Sequence, residues 1–328
     1  MKKIISKLFP RWAKKQLKLA YYWASFLPDY LNWLKFDILY SPIFPNERSR
    51  LADLLIKGHV LEKGITMPGR RLGFGYDRVR GLIRSTDNFI KNYSENHIEV
   101  QSALKDLEQY YQLHVSEKFN LPTDIEEGIT TLLKYKHSDT AECFECTAEE
   151  FFRQTADFAE FARQRHSVRW YSEEKIDNEL LKKAIELAQT APSACNRQST
   201  KVYVVETPEK KEKILNIQHG NRGFGFMADK ILLLTTDMKL WDCNFRTSGF
   251  LDTGIFTMNL LYSLHYYKIC ACTLNAQLNR KQRKELRNIV GFSESEIPVV
   301  FMVVGKAPNH FMIAGSQRVN VEEVFTFV

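Results

Sequence analysis

A change of hydrophobic rhythm around residues 137–146 constrains this chain more than any other feature. Before it, from residue 48 to 135, apolar residues return at helical spacing: Leu51, Leu54 and Leu55, then Val79, Leu82 and Ile83, then Leu104, Leu107, Tyr110 and Tyr111. Residues three and four apart share one helix face, and β-branched alternation is scarce, so the stretch reads as packed amphipathic helices. After it, helices alternate with strands. Thr147 and Glu150 make a capping box before a helix through Phe151, Phe152, Phe158 and Phe161. Asp177 caps a helix bearing Leu180, Leu181, Ala184, Ile185 and Ala188. Strands are expected at 201–206, 230–236 and 298–305, and helices at 208–217, 250–267 (long and buried) and 280–289. The polar, acidic break divides the 328 residues into a mostly helical region, 1–146, and an α+β region, 147–328.

Composition removes several classes of function. With 44% hydrophobic residues and a mean hydropathy of −0.33, the chain can bury a core. Its longest apolar runs, 231–234 and 299–304, fall far short of the roughly 18 to 20 residues of a membrane span. Residues 1–10 hold lysines but no long apolar run or small-residue cleavage site, so no secretory signal is expected and the cytoplasm is the expected compartment. Six cysteines are too few for a disulfide scaffold and read as reduced thiols. Cys143 and Cys146 with Cys270 and Cys272 have the ligand number of a zinc site, but the pairs lie far apart outside any knuckle pattern, and no metal is expected.

The first 40 residues carry eight Lys and Arg against Asp29 and Asp37, with Phe9, Trp12, Tyr21, Tyr22, Trp23, Phe26, Tyr30, Trp33 and Phe36 interleaved. Such a segment suits an anionic surface, which would make the protein peripheral at the inner membrane face. It also suits a helical arm packed on its own domain or on a partner subunit. The net charge of +7 is not sustained as a basic stripe beyond this segment, and no nucleic-acid motif is present, so no nucleic-acid partner is expected.

Several local patterns can carry chemistry. His59 and Glu62 could share a helix face as half a metal site, but a helix end closed by Gly64 is the preferred reading. The run from Gly69 to Gly75 lacks G-K-[ST] and G-x-G-x-x-G, and reads as a turn that lets Arg70 and Arg71 point out. Further on, Arg165, Ser167 and Arg169 alternate and would line one side of an extended segment. Two guanidinium groups flanking a hydroxyl suit a phosphate dianion, although the triplet alone also reads as solvated surface. Between a helix and a strand, Ser193, Asn196 and Gln198 supply uncharged donors and acceptors that fit the edge of a neutral heterocycle, or a plain turn.

In this order and spacing the two clusters resemble the FMN-dependent nitroreductase family, over about residues 161–328. The resemblance implies a nitroreductase-like α+β fold, a mixed sheet flanked by helices, that binds FMN and forms a homodimer. Its R-x-S-x-[RK]-x-[FY] segment implies a flavin-phosphate site at Arg165, His166, Ser167 and Arg169. Its [AS]-P-S-x-x-N-x-Q segment implies that Pro192, Ser193, Ala194, Asn196 and Gln198 lie against the isoalloxazine ring, usually across the subunit interface. Asp252, Thr253 and Gly254 begin a helix like the family's central dimer helix, and residues 267–272 resemble its G-L-G-x-C stretch. Backbone amides from Cys272 through Thr273 and Leu274 to Asn275 would then approach flavin N5. Residues 317–319 and 322–324 resemble the basic residue and acidic segment near the family's C-terminus, which implies Arg318 as a third phosphate ligand. Residues 220–225 stand where a ring-contacting segment is expected and contribute Asn221. The family's Pro-Trp after the glutamine is replaced by Ser199 and Thr200, which puts the ring's surroundings in doubt.

The implied activity is an NADH- or NADPH-dependent flavin oxidoreductase with ping-pong hydride transfer through N5 to a small-molecule acceptor. The flavin carries the chemistry, so no side chain is named as catalytic. Arg197 or Lys201 would place positive charge near the ring, and Phe224, Phe226, Trp241, Phe245 and Phe250 are either pocket walls or core. Residues 59–75 look like an extension found on nitroreductase-like proteins associated with bacterial surface-polysaccharide genes, which implies a redox tailoring step there. The rival readings are a degenerate FMN-binding or scaffold protein at a membrane surface, and a membrane-associated assembly factor worked by the helical half.

Overall fold

The computed structural model describes residues 10, 12, 13, 15–21, 24 and 27, and residues 47–328 except 139 and 242–246. From residue 47 on, four helices are described in the first region: α1 (Glu47–Ile65), α2 (Tyr76–Asn92), α3 (Ile98–Ser116) and α4 (Thr123–Leu133). Their apolar faces converge as the spacing requires, burying Leu51, Leu54, Val79, Leu82, Phe89, Leu104, Leu107, Ile125 and Ile129 in one core.

Gly64 does not close α1, which runs on to Ile65. It is absent from the glycines of positive φ, and a Cβ there would overlap the Phe74 ring, so close packing rather than a helix cap calls for glycine. The following turn is as expected. Gly69, Gly73 and Gly75 take φ of 62°, 73° and 67°, which only glycine adopts freely, and Arg70 and Arg71 are exposed.

The second region contains β1 (Phe144–Thr147), α5 (Ala148–Phe151), α6 (Phe158–Gln164), α7 (Asn178–Ala188), β2 (Thr200–Val205), α8 (Pro208–Ile217) and β3 (Lys230–Asp237). It continues with α9 (Ser248–Tyr266), β4 (Cys270–Asn275), α10 (Arg280–Val290), β5 (Glu296–Gly305) and β6 (His310–Ile313). The capping box at Thr147 forms, with Thr147 N donating to Glu150 Oε2 at 2.8 Å and Glu150 N to Thr147 Oγ1 at 3.2 Å. The single helix expected beyond it is two, because Asp157 Oδ1 accepts from Ala159 N at 2.7 Å and Glu160 N at 3.1 Å and starts a new helix.

The main sheet has the order β2-β3-β5-β4, with antiparallel pairing throughout, and β1 pairs with β6 in a separate two-stranded ribbon. Side chains alternate across a strand, and this sorts the core into two layers. Ile231, Leu233, Cys270, Cys272, Phe301 and Val303 pack toward α8, α10 and Phe311. Leu232, Leu234, Ala271, Met302 and Val304 pack toward α7 and α9.

Helix α9 is buried on one face only. Asp252, Thr253, Leu260 and Leu264 turn inward, whereas Phe250, Leu251, Ile255, Met258 and Tyr266 are exposed. An apolar stripe of this length on a central helix is what a helix packed against a second subunit presents.

Candidate flavin site

Strand β4 is an edge strand, and residues 165–171 run along its outer side, where Val168 N donates to Ala271 O at 3.0 Å. Buried Tyr171 pins this segment, its hydroxyl donating to Val168 O at 2.7 Å and reaching Val303 O at 3.2 Å. Gly305 makes room for it: a Cβ there would stand 2.6 Å from the Tyr171 ring.

Arg165, at one end of the segment, has a buried Nε with no hydrogen-bond partner among the described residues. Burial lowers its pKa; Tyr262 raises it, and the positive charge of Arg318 lowers it further. His166 is likewise pushed down, first by burial, then by Arg165 and Arg318. Three cation-forming groups thus converge from two distant stretches of chain, and no carboxylate of the described residues is among the charges acting on Arg165. Arg318 itself donates to Ser316 O. Ser167, midway, and buried Arg169, at the other end, lie against the Cys272 thiol, which burial holds above its ordinary pKa.

His265 of α9 was absent from the sequence-derived set, and nothing local marks it. Its ring lies 5.0 Å from Phe151, 5.3 Å from Phe152 and 5.1 Å from Phe161. Burial, then Arg165 and His166, push its pKa from 6.5 down to about 4. The unfolded chain therefore binds a proton near pH 6.5 that the folded chain refuses until about pH 4. This part of the stability is complete above pH 6.5 and is lost as pH falls through that window, at up to about 1.4 kcal/mol per unit. Urea denaturation of His265→Phe at pH 7, 6 and 5 should show a shallower loss than wild type; parallel losses would contradict the assignment.

The loop at 192–198 is shaped by its own strain. Cys195, Asn196 and Gln198 take φ of 53°, 53° and 49°, uncommon for side-chain-bearing residues. Buried Asp252 holds it from below, accepting from Ala194 N at 3.0 Å. Ser193 Oγ accepts from Gln198 N at 3.1 Å, and Gln198 Nε2 donates to Asn196 Oδ1 at 3.1 Å, while Pro192 enters the loop exposed and the polar tips of Asn196 and Gln198 face outward. Thr273, Leu274 and Asn275 lie on β4, and Asn275 O accepts from Gln218 Nε2 at 3.2 Å. Because alternate residues of an edge strand share one backbone direction, Thr273 faces the same outer side as Ala271 and Asn275. Asn221 is buried, and its amide is taken up inside its own turn, donating to Leu215 O at 2.8 Å and to Gln218.

Other sequence expectations sort differently. Lys201 is not a cation for the ring: its Nζ pairs with Glu296 at 2.9 Å, because β2 and β5 flank β3 and bring the two together. Arg197 stacks 4.7 Å from the Trp241 ring and donates to Leu240 O at 3.0 Å. Phe224 is core, Phe226 and Phe250 are exposed, and Phe245 lies outside the described residues. Cys143, Cys146, Cys270 and Cys272 are buried thiols, and no metal-holding cluster of His, Cys, Asp or Glu occurs among the described residues. The membrane expectation for residues 1–40 falls mostly outside the described residues; those described there include exposed Trp12, Leu17, Leu19, Tyr21 and Leu27. No described helix is long and apolar enough to cross a membrane.

Comparison with known proteins bears on this geometry. The nitroreductase family model matches residues 162–222, which hold the Arg165 segment and the loop at 192–198. The iodotyrosine deiodinase 1 of Pongo abelii is 28% identical over 117 residues, 36% of this chain and 40% of that protein. The CLA biosynthesis enone reductase of Lactiplantibacillus plantarum is 50% identical over 58 residues, 17% of this chain and 27% of that protein. The chain thus spans about two fifths of the first relative and about a quarter of the second. Among solved structures, a proposed NAD(P)H:FMN oxidoreductase from Staphylococcus epidermidis is 19% identical, with 53% of this chain and 97% of that one covered and a TM-score of 0.47. The C-terminal region of this chain carries a nitroreductase-family domain.

Proposed function

We propose that residues 147–328 form an FMN-dependent oxidoreductase that draws electrons from NADH or NADPH, works as a homodimer with the flavin between subunits, and carries residues 1–146 as a helical extension. The observation that carries this reading is the convergence of Arg165, His166 and Arg318 around a buried guanidinium nitrogen with no partner among the described residues. The two guanidinium charges oppose one another until an anion arrives, and a phosphate dianion accepts bidentate bonds from arginine. The donor set therefore fits FMN.

When bound, the flavin supplies hydride acceptance and donation at N5. Arg165 and Arg318 would hold the phosphate, with Ser167 as a neutral donor. The strained loop at 192–198, tied down by Asp252, would present Ser193, Asn196 and Gln198 to the ring without reorganising on binding. The outer edge of β4 at Thr273 would offer a backbone donor to the same ring. The enone reductase and deiodinase relatives support a conjugated small molecule as acceptor. The resemblance of residues 59–75 to polysaccharide-linked proteins supports a redox tailoring step as its setting.

The test is the visible spectrum of the purified protein and the identity of what acid releases from it. Flavin absorbance with FMN recovered is the expected result. A colourless protein that also refuses added FMN would sink the proposal.

A further inference from the structure

Helix α1 belongs to the helical region, yet its last turn lies against the candidate flavin site. Glu62 Oε1 accepts from Ser316 N at 2.6 Å, bracing the segment that carries Arg318. Its neighbour Lys63 points to the opposite flank, where Nζ donates to Gly220 O at 2.7 Å and stands 4.9 Å from the Phe224 ring centroid. Just beyond, Met67 fills the space over Gly223 that a Cβ would occupy. Two adjacent residues of α1 thus touch two of the segments that frame the site.

No carboxylate pairs with Lys63 among the described residues, and the charge that acts on it most is Arg169. Burial and then Arg169 lower its pKa, while Cys272 raises it. Half-burying an ammonium beside a guanidinium opposes folding beyond what the Gly220 carbonyl and the Phe224 face return, and negative charge delivered there would offset it.

The positive charge around the extended segment falls into two groups. Arg165 acts on His166, His265 and Arg318, whereas Arg169 acts on Lys63, Cys143 and Cys272. Four residues of extended chain separate the two arginines by roughly 13 Å. FMN has a matching polarity: a phosphate dianion at one end, and at the other a ring that gains negative charge on reduction. With the phosphate at Arg165 and Arg318, the second group would meet the ring.

We infer that Lys63, together with Arg169, forms the cation pair at the ring end of the flavin site, so that the helical region contributes directly to the redox centre. This rests on the FMN reading above. The pair stabilises the reduced, anionic ring more than the oxidised, neutral one, and so sets the potential upward.

The experiment uses the full chain with Lys63→Met, Lys63→Gln and Lys63→Arg, each checked for folding by circular dichroism. It measures the two-electron potential of bound flavin by dye equilibration, and the Kd of FMN and of riboflavin by fluorescence quenching. Both neutral variants should shift the potential to more negative values and weaken FMN and riboflavin by the same factor, about tenfold, while Lys63→Arg keeps the wild-type potential. Wild-type potential and affinities in a folded neutral variant would overturn the inference and leave the FMN reading standing. Weakened FMN with unchanged riboflavin would also overturn it, by assigning Lys63 to the phosphate. Wild-type protein that binds neither flavin would overturn both.

Discussion

Replacing Arg165 and Arg318 together by alanine should raise the Kd for FMN by two to four powers of ten and leave that for riboflavin within a few-fold of wild type. Each guanidinium makes charge-assisted hydrogen bonds to phosphate worth about 1.5 to 3 kcal/mol, and two such losses give about 3 to 6 kcal/mol. The contrast between ligands is the informative part, because riboflavin lacks only the phosphate. A folded double variant that still holds FMN would show that the dianion binds elsewhere. Lys91→Ala, which breaks an exposed pair with Asp87 on α2 (Nζ to Oδ2, 2.6 Å), serves as the control for nonspecific loss of positive charge.

A comparably large effect is expected on assembly. Leu251, 65% exposed, and Ile255 stand one turn apart on the outer stripe of α9, beside Gly254, which has no neighbour within 4 Å of a would-be Cβ. The small residue lets a second helix approach closely, and the flanking large ones supply the apolar area that an obligate interface buries. Leu251→Glu with Ile255→Glu would place two carboxylates at the centre of that contact, at a cost of several kcal/mol. Sedimentation equilibrium should then give a monomer where wild type gives a dimer, and FMN should be lost with the dimer because the proposed site lies between subunits. A wild-type chain that sediments as a monomer, or a double variant that still dimerises, would remove α9 as the interface.

Much of the architecture was legible because it depends on local rules. The caps at Thr147 and Asp177, three of the four helices of the first region and the strands β3 and β5 all follow from residues close in sequence. The misread features are those decided by distant partners. Gly64 suggested a helix end because its neighbour Phe74 arrives from the next turn of chain. Lys201 looked available because Glu296, which pairs with it, lies 95 residues later. The family resemblance grouped Arg165, Ser167 and Arg169 as one phosphate site but could not show that the two arginines face different surroundings. Lys63 lay in a segment where only His59, Glu62 and Gly64 drew a local reading, and His265 carried no motif, since only tertiary packing brings the two to the site.

The hydrogen bond from Ser316 N to Glu62 joins positions 254 residues apart. Loop closure of that span is late and slow compared with the hairpins and helices on either side of it. The helical bundle can condense while the sheet is still being synthesised, and the sheet can form before the segment at 315–318 returns to α1. The proposed cofactor cradle would therefore be the last part of the molecule to become complete, and a nascent or partly unfolded chain would hold its secondary structure before it could retain a flavin.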